Sequence, residues 1–330
     1  MRQRLLVLGG TKFVGRHIVE SAIDAGHKVT LFHRGRTNPT LFPGCEHLHG
    51  DRDQAEYDAI RSGRWDAVID TCAYVPRHVK QAMDALDTRA PHYVFISTVS
   101  VYADPAVGPI DEDAPLAVLD RPTEEVTGQT YGALKVACEQ LLQDQFRGDL
   151  TIVRPGIVAG SHDPTDRFTY LVRRASAGGQ MLCPPRGHQP VQVIHGRDLG
   201  DFVVRTATEK ITGTFNAAGP SDPATMFDMI AACAEAADAT IAPVWAPQEL
   251  LAESEVSLPL ALPEDGSVDG LFQASIERAV AAGLVNRSLL ETAADTLAWD
   301  RERGLPPLLV GPDADYAADL AAAAASTSTS

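Results

Sequence analysis

The chain has 330 residues, of which 45% are hydrophobic, 22% charged and 6% aromatic, and this composition excludes a largely disordered protein. No compact run of Lys or Arg relieves its formal net charge of −16, which argues against nucleic acid and anionic membranes as partners. The five cysteines form no CxxC pair, so neither a disulfide framework nor a zinc cluster is indicated. No apolar stretch approaches the roughly 18 residues of a membrane span, and no signal-peptide pattern opens the chain. We therefore expect a cytoplasmic protein that binds a small molecule.

Short apolar runs alternate with helical patterns through the first half of the chain. Strands are predicted over Leu5–Leu8, Lys28–Phe32, Trp65–Asp70, His92–Ser97 and Leu150–Arg154, and helices over Phe13–Ala25, Val79–Leu86 and Tyr131–Phe146. Buried parallel strands read as continuous apolar runs joined by helices. The pattern therefore predicts an α/β fold, a Rossmann-like doubly wound parallel sheet.

After Gly160 the chain becomes rich in Pro, Gly and Asp, which is typical of a smaller lobe. Two later runs, Val191–Ile194 and Gly213–Ala217, still resemble sheet strands. We predict a Rossmann-like domain over 1–160 with returns at about 191–218, a C-terminal substrate lobe over 161–190 and 219–310, and an Ala-rich tail over 311–330. In that tail the pattern predicts a helix over Tyr316–Ala325 and a disordered Ser/Thr end.

A glycine-bearing turn joins the first strand to the first helix. Gly9 and Gly10 permit a tight turn, Gly15 allows the helix to pack closely on the strand, and the helix N-terminus favours an anion. We predict that this turn binds the pyrophosphate of a dinucleotide through Gly9, Gly10, Thr11, Lys12, Phe13, Val14 and Gly15. The Lys12 side chain either reaches the phosphates or projects into solvent.

The end of the second strand indicates which dinucleotide binds. An NAD site usually carries an acid there, whereas this chain has His33, Arg34 and Arg36. The two arginines would hold a 2′-phosphate, so NADP(H) is favoured and NAD(H) remains possible. The alternative is that both arginines are ordinary solvated loop residues. His33 is interpreted as a loop histidine, and His47 and His49 lack a third ligand nearby, so no metal is expected.

Tyr131 and Lys135 lie four residues apart on a predicted helix and therefore share one face. An ammonium close to the phenol would lower the pKa of Tyr131 toward working pH and make it a general acid/base. A hydroxyl at the end of the preceding strand, from Ser97, Thr98 or Ser100, would hold the substrate oxygen. The predicted chemistry is hydride transfer at a carbonyl or alcohol carbon.

These segments together resemble the extended short-chain dehydrogenases/reductases, in their epimerase/dehydratase-like branch, up to about Val310. The resemblance rests on GGTKFVG, STVSVY, YGALK, RPGIVAG and IHGRD, which begin at residues 9, 97, 131, 154 and 194. It implies Thr98, Tyr131 and Lys135 as the catalytic set, and a homodimer through the helix bearing Tyr131 and the helix Val79–Leu86. It implies further cofactor contacts from His33, Asp51, Arg52, Thr71, Cys72, Ala73, Ser97, Tyr131, Lys135 and Pro155. The GGTxFxG turn is also similar to a subgroup that includes plant chloroplast stem-loop-binding proteins and bacterial isoflavone-reductase-like proteins.

Departures from the family pattern narrow the chemistry. Dehydratases carry an Asp-Glu pair where this chain has Val99 and Ser100, so dehydration is not expected. Nucleotide-sugar epimerases carry an Asn and an Arg where this chain has Ile157 and Val191, and apolar side chains cannot neutralise a diphosphate. The arginines that could substitute are Arg173, Arg174, Arg186 and Arg197. The apolar set Phe168, Tyr170, Met181 and Leu182 could line a non-sugar pocket or could simply pack the lobe.

Three functions remain open at this point. The first is an NAD(P)-dependent dehydrogenase or reductase of a small substrate, with Tyr131 as general acid/base. The second is an epimerase that holds its NAD tightly. The third is a non-catalytic nucleotide-sensing or RNA-associated protein, against which the Tyr/Lys pair and the acidity of the chain both argue.

Overall fold

The computed structural model describes residues 1–249, 258–311 and 316–327. The strands in this part of the chain are β1 (Arg4–Leu8), β2 (Lys28–His33), β3 (Glu46–His49), β4 (Ala67–Asp70), β5 (His92–Ile96), β6 (Asp149–Pro155), β7 (Ile157–Ala159), β8 (Gly179–Cys183), β9 (Pro190–Val191), β10 (Val193–His195), β11 (Gly213–Ala217), β12 (Ala224–Thr225) and β13 (Ile241–Trp245). The α-helices whose bounds lie in the described ranges are α1 (Phe13–Asp24), α2 (Pro76–Leu86), α3 (Tyr131–Gln145), α4 (Arg167–Ser176), α5 (Gly196–Glu209), α6 (Met226–Ala236), α7 (Glu277–Ala281), α8 (Leu289–Glu302) and α9 (Tyr316–Thr327).

The central sheet has seven strands in the order β11-β6-β5-β4-β1-β2-β3, and every neighbouring pair is parallel. The strand order reverses between β1 and β4, which is the switch point of a Rossmann-like sheet. The predicted α/β fold is therefore confirmed.

Alternation along the strands explains the two helical layers. In β1, Leu5 and Val7 pack into the core that includes Ile18 of α1 and Phe202 of α5. Leu6 and Leu8 face the opposite way, into the core shared with α2 and α3. Because successive side chains of a strand point to opposite faces, a continuous apolar run is what a sheet covered on both sides requires.

The predicted return of the chain to the sheet is only half right. Gly213–Ala217 forms β11 and pairs with β6 at the edge of the central sheet. The run Val191–Ile194 does not join that sheet. It divides between β9, which pairs with β12, and β10, which pairs with β7.

The lobe has its own core between α4, α6 and α8. Phe168, Tyr170, Met181 and Leu182 are all buried in that core, at 0 to 1% exposure. Their interpretation as pocket-lining residues is therefore wrong, and amphipathic packing accounts for them.

The Ala-rich tail forms α9, and Ala323 is fully buried in the core of the lobe. The helix runs two residues further than predicted, because Ser326 and Thr327 form its last residues instead of beginning a disordered end. The rest of the predicted disordered end, 328–330, lies outside the described residues. No helix in the described ranges is long and apolar enough to span a membrane.

Candidate functional site

A cleft of about 1010 Å³ opens at the carboxyl ends of the central strands, where the strand order reverses. It is lined by the catalytic residues predicted from the sequence, Thr98, Tyr131 and Lys135, and by the predicted cofactor residues with one exception. The exception is Ala73, which is fully buried and contributes only its backbone carbonyl, to Lys135. The structure therefore brings into one cleft residues that are more than 120 positions apart in the sequence.

The glycine turn adopts the tight backbone conformation that its glycines predict. Gly9 and Gly10 adopt φ angles of +102° and +95°, which side-chain-bearing residues rarely adopt. A Cβ on Gly15 would lie 2.8 Å from the Gly10 nitrogen, so α1 can approach the turn this closely only with glycine there. The side chain of Lys12, the N-cap of α1, makes no capping hydrogen bond, and Lys12 is exposed at the cleft.

Thr71 and Cys72 support the turn from the end of β4. The Thr71 hydroxyl donates to the Leu8 carbonyl at 2.8 Å, and the Cys72 thiol lies 3.4 Å from the same oxygen. Both residues line the cleft, but their polar atoms are used to hold the strand that precedes Gly9.

Two arginines stand at the outer end of the cleft, beyond β2. Arg34 Nη1 lies 3.8 Å from Asp53 Oδ2, and Arg36 Nη2 lies 3.6 Å from Asp51 Oδ2. The arginine side chains are 50% and 71% exposed, so both pairs are long and solvated. This end of the cleft therefore offers guanidinium groups that no short hydrogen bond restrains.

His33 is the last residue of β2, not a loop residue as interpreted from the sequence, and it is buried beside His47 and His49. Its Nδ1 accepts from the Gly35 N–H at 2.9 Å, so its proton sits on Nε2, which faces His47 Nδ1 at 2.8 Å. Burial and the two neighbouring imidazoles lower the pKa of His33 to about 4. The ring is therefore neutral at pH 7. No group of three or more His, Cys, Asp or Glu in the described ranges is arranged to hold a metal.

The guanidinium of Arg52 lies beneath this end of the cleft and is fully occupied by protein groups. Two of its nitrogens bond to the Asp70 carboxylate at 2.6 and 2.8 Å, and the remaining N–H groups reach Tyr57 Oη, Cys72 Sγ and the His78 carbonyl. Asp70 is fully buried, and Arg52 holds the pKa of its carboxyl below the usual range despite burial. The guanidinium of Arg52 thus serves a structural ion pair, and because the residue lines the cleft, its contact with a cofactor stays a prediction.

Thr98 and Tyr131, which are predicted to be catalytic, mark the part of the cleft that we call the catalytic end. Thr98 follows β5 and caps a short 3-10 helix over Val99–Val101 by accepting from the Ser100 N–H at 3.1 Å. The Thr98 hydroxyl donates to Ser100 Oγ at 3.2 Å and is near enough to the Tyr131 phenol to lower its pKa. Burial nevertheless raises the pKa of the Tyr131 phenol above its ordinary value. The phenol is therefore protonated at neutral pH.

Lys135 lies one turn further along α3, where its ammonium is bound to the backbone. Nζ donates to the Ile96 carbonyl at 2.6 Å and to the Ala73 carbonyl at 2.9 Å, and it lies 4.1 Å from the centre of the Phe95 ring. Burial lowers the pKa of this ammonium to about 8. The predicted lowering of the Tyr131 pKa by Lys135 is therefore wrong in this structure, since the ammonium turns to two carbonyls and burial dominates at the phenol.

A buried ion pair missed by the sequence analysis lies behind the catalytic end. Arg154 donates to both oxygens of Glu139, at 2.6 and 3.1 Å, and Glu139 accepts from the Ser97 hydroxyl. Arg154 also bonds to Tyr102 Oη at 3.1 Å. Glu139 is four residues after Lys135, so helical spacing placed it on the same face and could have revealed it.

The inner wall of the cleft comes from the lobe and from β7. It is lined by Ile157, Val158, Pro164, Thr165, Arg167, Leu271 and Phe272. None of the four arginines considered as substitutes for a diphosphate ligand lines the cleft. Arg173 pairs with Asp300 at 2.5 Å and Arg186 with Asp269 at 2.6 Å, both outside it. The arginine on the inner wall is Arg167, which no sequence pattern had indicated.

These features define a Rossmann-like α/β protein with a ligand cleft at the carboxyl ends of its strands. A sequence model of the NAD dependent epimerase/dehydratase family matches residues 5–218. Because this match exceeds half of the chain, the protein belongs to that family, as its resemblance to the extended short-chain dehydrogenases/reductases implied.

Individual relatives are more distant. The chain is 28% identical over 257 residues to the chloroplast stem-loop binding protein of 41 kDa b from Arabidopsis thaliana, covering 71% of this chain and 63% of that one. It is 29% identical over 220 residues to UDP-glucose 4-epimerase from Azospirillum brasilense, covering 59% and 60%. The chain thus spans less than two thirds of the length of both relatives. A solved structure, the Bordetella bronchiseptica enzyme WbmH in complex with NAD+, shares the fold with a TM-score of 0.65 at 18% identity, covering 92% of this chain and 99% of that one.

Proposed function

We propose that this protein is an NAD(P)-dependent oxidoreductase that moves hydride to or from a carbonyl or alcohol carbon of a small substrate, with Tyr131 as general acid/base. One observation carries the proposal. Thr98 and Tyr131 line the same cleft as the glycine turn at the N-terminus of α1. A proton-transfer group and a dinucleotide-binding turn in one cleft are what such a reaction requires.

The cleft fits a dinucleotide. Its volume of about 1010 Å³ is large enough for one, its turn has the positive φ angles of a phosphate-binding loop, and the N-terminus of α1 lies beside it. The name of the family and the NAD+ of the Bordetella enzyme support a nicotinamide cofactor. When bound, the nicotinamide would supply or accept the hydride.

We propose NADP(H) as the preferred form. Arg34 and Arg36 line the outer end of the cleft, and their long pairs with Asp53 and Asp51 leave guanidinium donors for a 2′-phosphate. Lys12 adds a further cation on the glycine turn. NAD(H) lacks the 2′-phosphate and would gain nothing from Arg34 and Arg36, whereas Lys12 would serve the pyrophosphate of either cofactor.

The protonation states favour reduction as the direction measured at neutral pH. The raised pKa keeps Tyr131 protonated, so the phenol can donate a proton to a substrate oxygen as that oxygen gains charge. Thr98 would hold the same oxygen by a hydrogen bond. Lys135 would keep the ends of β4 and β5 together through Ala73 and Ile96, and so hold the floor of the site.

The test begins with the purified protein. The supernatant of a denatured sample is assayed for nucleotide, NADPH and NADH are titrated by fluorescence, and a panel of aldehydes and ketones is assayed with both cofactors. Reversible binding that favours NADPH, with turnover of at least one carbonyl compound, is the expected result. Absence of binding for both cofactors would overturn the proposal.

An epimerase is the second candidate, because the Azospirillum relative is a UDP-glucose 4-epimerase. It predicts NAD retained through purification and turnover of a nucleotide sugar without added cofactor. The apolar Ile157 on the inner wall and the pairing of Arg173 and Arg186 outside the cleft weigh against the family's usual diphosphate site, and among the described residues Arg167 is the arginine that this wall offers to a diphosphate. A role in RNA binding, suggested by the name of the Arabidopsis relative, would require affinity for a stem-loop RNA that persists at physiological salt.

A further inference from the structure

Arg167, the first residue of α4, is held from one side by a short chain of hydrogen bonds. Its Nε donates to Thr165 Oγ1 at 3.1 Å, and Thr165 Oγ1 donates to Asp163 Oδ1 at 2.7 Å. The Thr165 backbone N–H also donates to that oxygen, at 2.8 Å. Asp163 is only 3% exposed, so the chain is anchored in the protein interior. The guanidinium is therefore fixed at its Nε, and Arg167 lines the cleft.

The terminal nitrogens of Arg167 have no hydrogen-bond or ion-pair partner among the described residues, and this distinguishes it from the other arginines of the cleft. Those arginines all face carboxylates: Arg52 with Asp70, Arg77 with Glu124, Arg34 with Asp53 and Arg36 with Asp51. The two acids nearest to Arg167 in the chain form no ion pair with it. Asp163 accepts from Thr165 and interacts with Arg167 electrostatically through this chain, and Asp166 accepts from Arg303 at 2.7 Å.

The apolar wall around Arg167 strengthens the attraction between its guanidinium and an anionic ligand. Ile157, Val158, Leu271 and Phe272 line the cleft with it and present apolar side chains. A charge beside such a wall is screened less than in open water, so an opposite charge on a ligand is attracted more strongly. In a protein with a net charge of −16, a fixed guanidinium with no ion-pair partner among the described residues favours an anionic ligand in the cleft.

We propose that the substrate carries a carboxylate or phosphate group, which Arg167 binds through its terminal nitrogens while Thr98 and Tyr131 engage the carbonyl oxygen. This inference rests on the proposed function, since it concerns the substrate of that reaction. A guanidinium matches an acidic group with two parallel hydrogen bonds, which gives orientation as well as affinity. Arg167 would thereby choose acidic carbonyl compounds over neutral ones of the same size.

The test compares two aldehydes of nearly the same shape, the anionic 4-carboxybenzaldehyde and the neutral 4-formylbenzamide, with NADPH as co-substrate. In the wild-type protein kcat/KM should favour the acid by about tenfold or more, the range of one charged hydrogen-bonded contact. In Arg167→Met the two values should become similar, because only the acid loses its partner. Arg167→Lys should keep part of the preference, since it retains the charge but not the paired geometry. Arg61→Met, which removes an exposed arginine outside the cleft, should leave the ratio unchanged.

Binding measurements separate this inference from the proposed function. Calorimetric titration of terephthalate and of terephthalamide into the NADPH-saturated protein should detect the dianion only, and Arg167→Met should abolish its binding. Binding of this kind without turnover of either aldehyde would overturn the reductase and leave the anion site standing. Turnover without a preference for the acid would overturn the anion site and leave the reductase standing, and failure of both measurements would overturn both.

One further outcome concerns the source of the anion. If Arg167→Met weakens NADPH binding by the same factor as it weakens acid binding, Arg167 holds a phosphate of the cofactor and the inference about the substrate is overturned. Circular dichroism melting of each variant identifies any that fails to fold. Arg167→Lys then serves as the conservative comparison.

Discussion

The two ends of the cleft are built differently. The outer end takes its turn and its arginines from one continuous stretch, residues 9–53. The catalytic end is assembled from segments around residues 98, 131, 157, 167 and 272, which come from the sheet, α3 and the lobe. The outer end can thus be read from local sequence, whereas the catalytic end exists only once distant segments have packed together.

A buried ion pair nevertheless supports each end of the cleft. Arg52 and Asp70 lie under the outer end, and Arg154 and Glu139 lie behind the catalytic end, with all four side chains less than 10% exposed. The two pairs differ in what they hold. Arg52 reaches Tyr57 and Cys72, next to the glycine turn, while Glu139 reaches Ser97, the neighbour of Thr98. Equivalent changes in the two pairs should therefore have different functional effects.

The largest effect is expected at the catalytic end, from Tyr131→Phe. Loss of the phenolic proton should lower kcat by roughly 10²- to 10⁴-fold, the usual contribution of a positioned general acid. The Kd for NADPH should stay within about twofold of wild type, because the change leaves the glycine turn intact. The measurement is steady-state kinetics beside fluorescence titration, and an unchanged kcat would refute the assignment of Tyr131.

The variants Arg154→Met and Arg52→Met each remove the arginine of one buried ion pair. Each change strands a buried carboxylate and should lower the free energy of unfolding by about 3 to 5 kcal/mol, measured by urea denaturation. Arg61→Met removes an exposed ion pair and should change it by less than about 1 kcal/mol.

Activity distinguishes the two variants. We expect Arg154→Met to lower kcat more than it raises the Kd for NADPH, and Arg52→Met to show the reverse. The same pattern in both variants would show that the pairs serve stability alone and would remove the distinction between the two ends.

The lowered pKa of the Lys135 ammonium predicts that the free energy of unfolding depends on pH. Its pKa is lowered from 10.5 to about 8 in the folded protein, so between these values the unfolded chain binds more protons than the native one. Across this window the free energy of unfolding should therefore rise with pH by up to about 1.4 kcal/mol per unit from this group. That contribution is complete above pH 10.5 and is lost as the pH falls through 8.

The rise should be smaller in Lys135→Met than in wild type, as measured by urea denaturation from pH 7 to 10. Lys80→Met, which removes an exposed lysine of α2, should retain it. Parallel pH profiles for wild type and Lys135→Met would show that the ammonium is not desolvated as the structure describes.

The smallest effect is expected at the outer end, from Arg34→Met and Arg36→Met. Each should weaken binding of NADPH by about tenfold, the loss of one charged hydrogen bond to a phosphate. Binding of NADH should hardly change, so the ratio of the two dissociation constants is the informative quantity. An equal loss for both cofactors would mean that the arginines do not contact a 2′-phosphate.

Much of the fold was predictable because its signals are local. An apolar run such as Leu5–Leu8 predicts a strand that is buried on both faces of a sheet. The glycines of the turn predict a backbone with positive φ angles, which other residues rarely adopt. The small sheets of the lobe were not predictable. Val191 and Val193 are neighbours in sequence, yet they lie in strands with different partners, which only tertiary packing decides.

In the candidate site, too, the features set by local sequence were predictable and those set by tertiary packing were not. Tyr131 and Lys135 follow from helical spacing, but the direction of the pKa change at Tyr131 depends on burial and on the carbonyls that attract Lys135. Arg52 has the residue type of a ligand, and only its contact with Asp70 reveals a structural role. Arg167 directly follows a Pro- and Asp-rich segment and begins α4, and nothing in the sequence distinguishes it from a solvated arginine of a first helical turn.

The central claim is that the glycine turn and the Thr98–Tyr131 pair belong to one site of hydride transfer. The most direct measurement supplies NADPH deuterated at C4 of the nicotinamide, together with 4-carboxybenzaldehyde, and follows the alcohol product by mass spectrometry. The account predicts deuterium on the new carbinol carbon in the wild-type protein and its loss in Tyr131→Phe at equal cofactor occupancy. Full occupancy by NADPH without deuterium in any product, across acidic and neutral carbonyl probes, would contradict it.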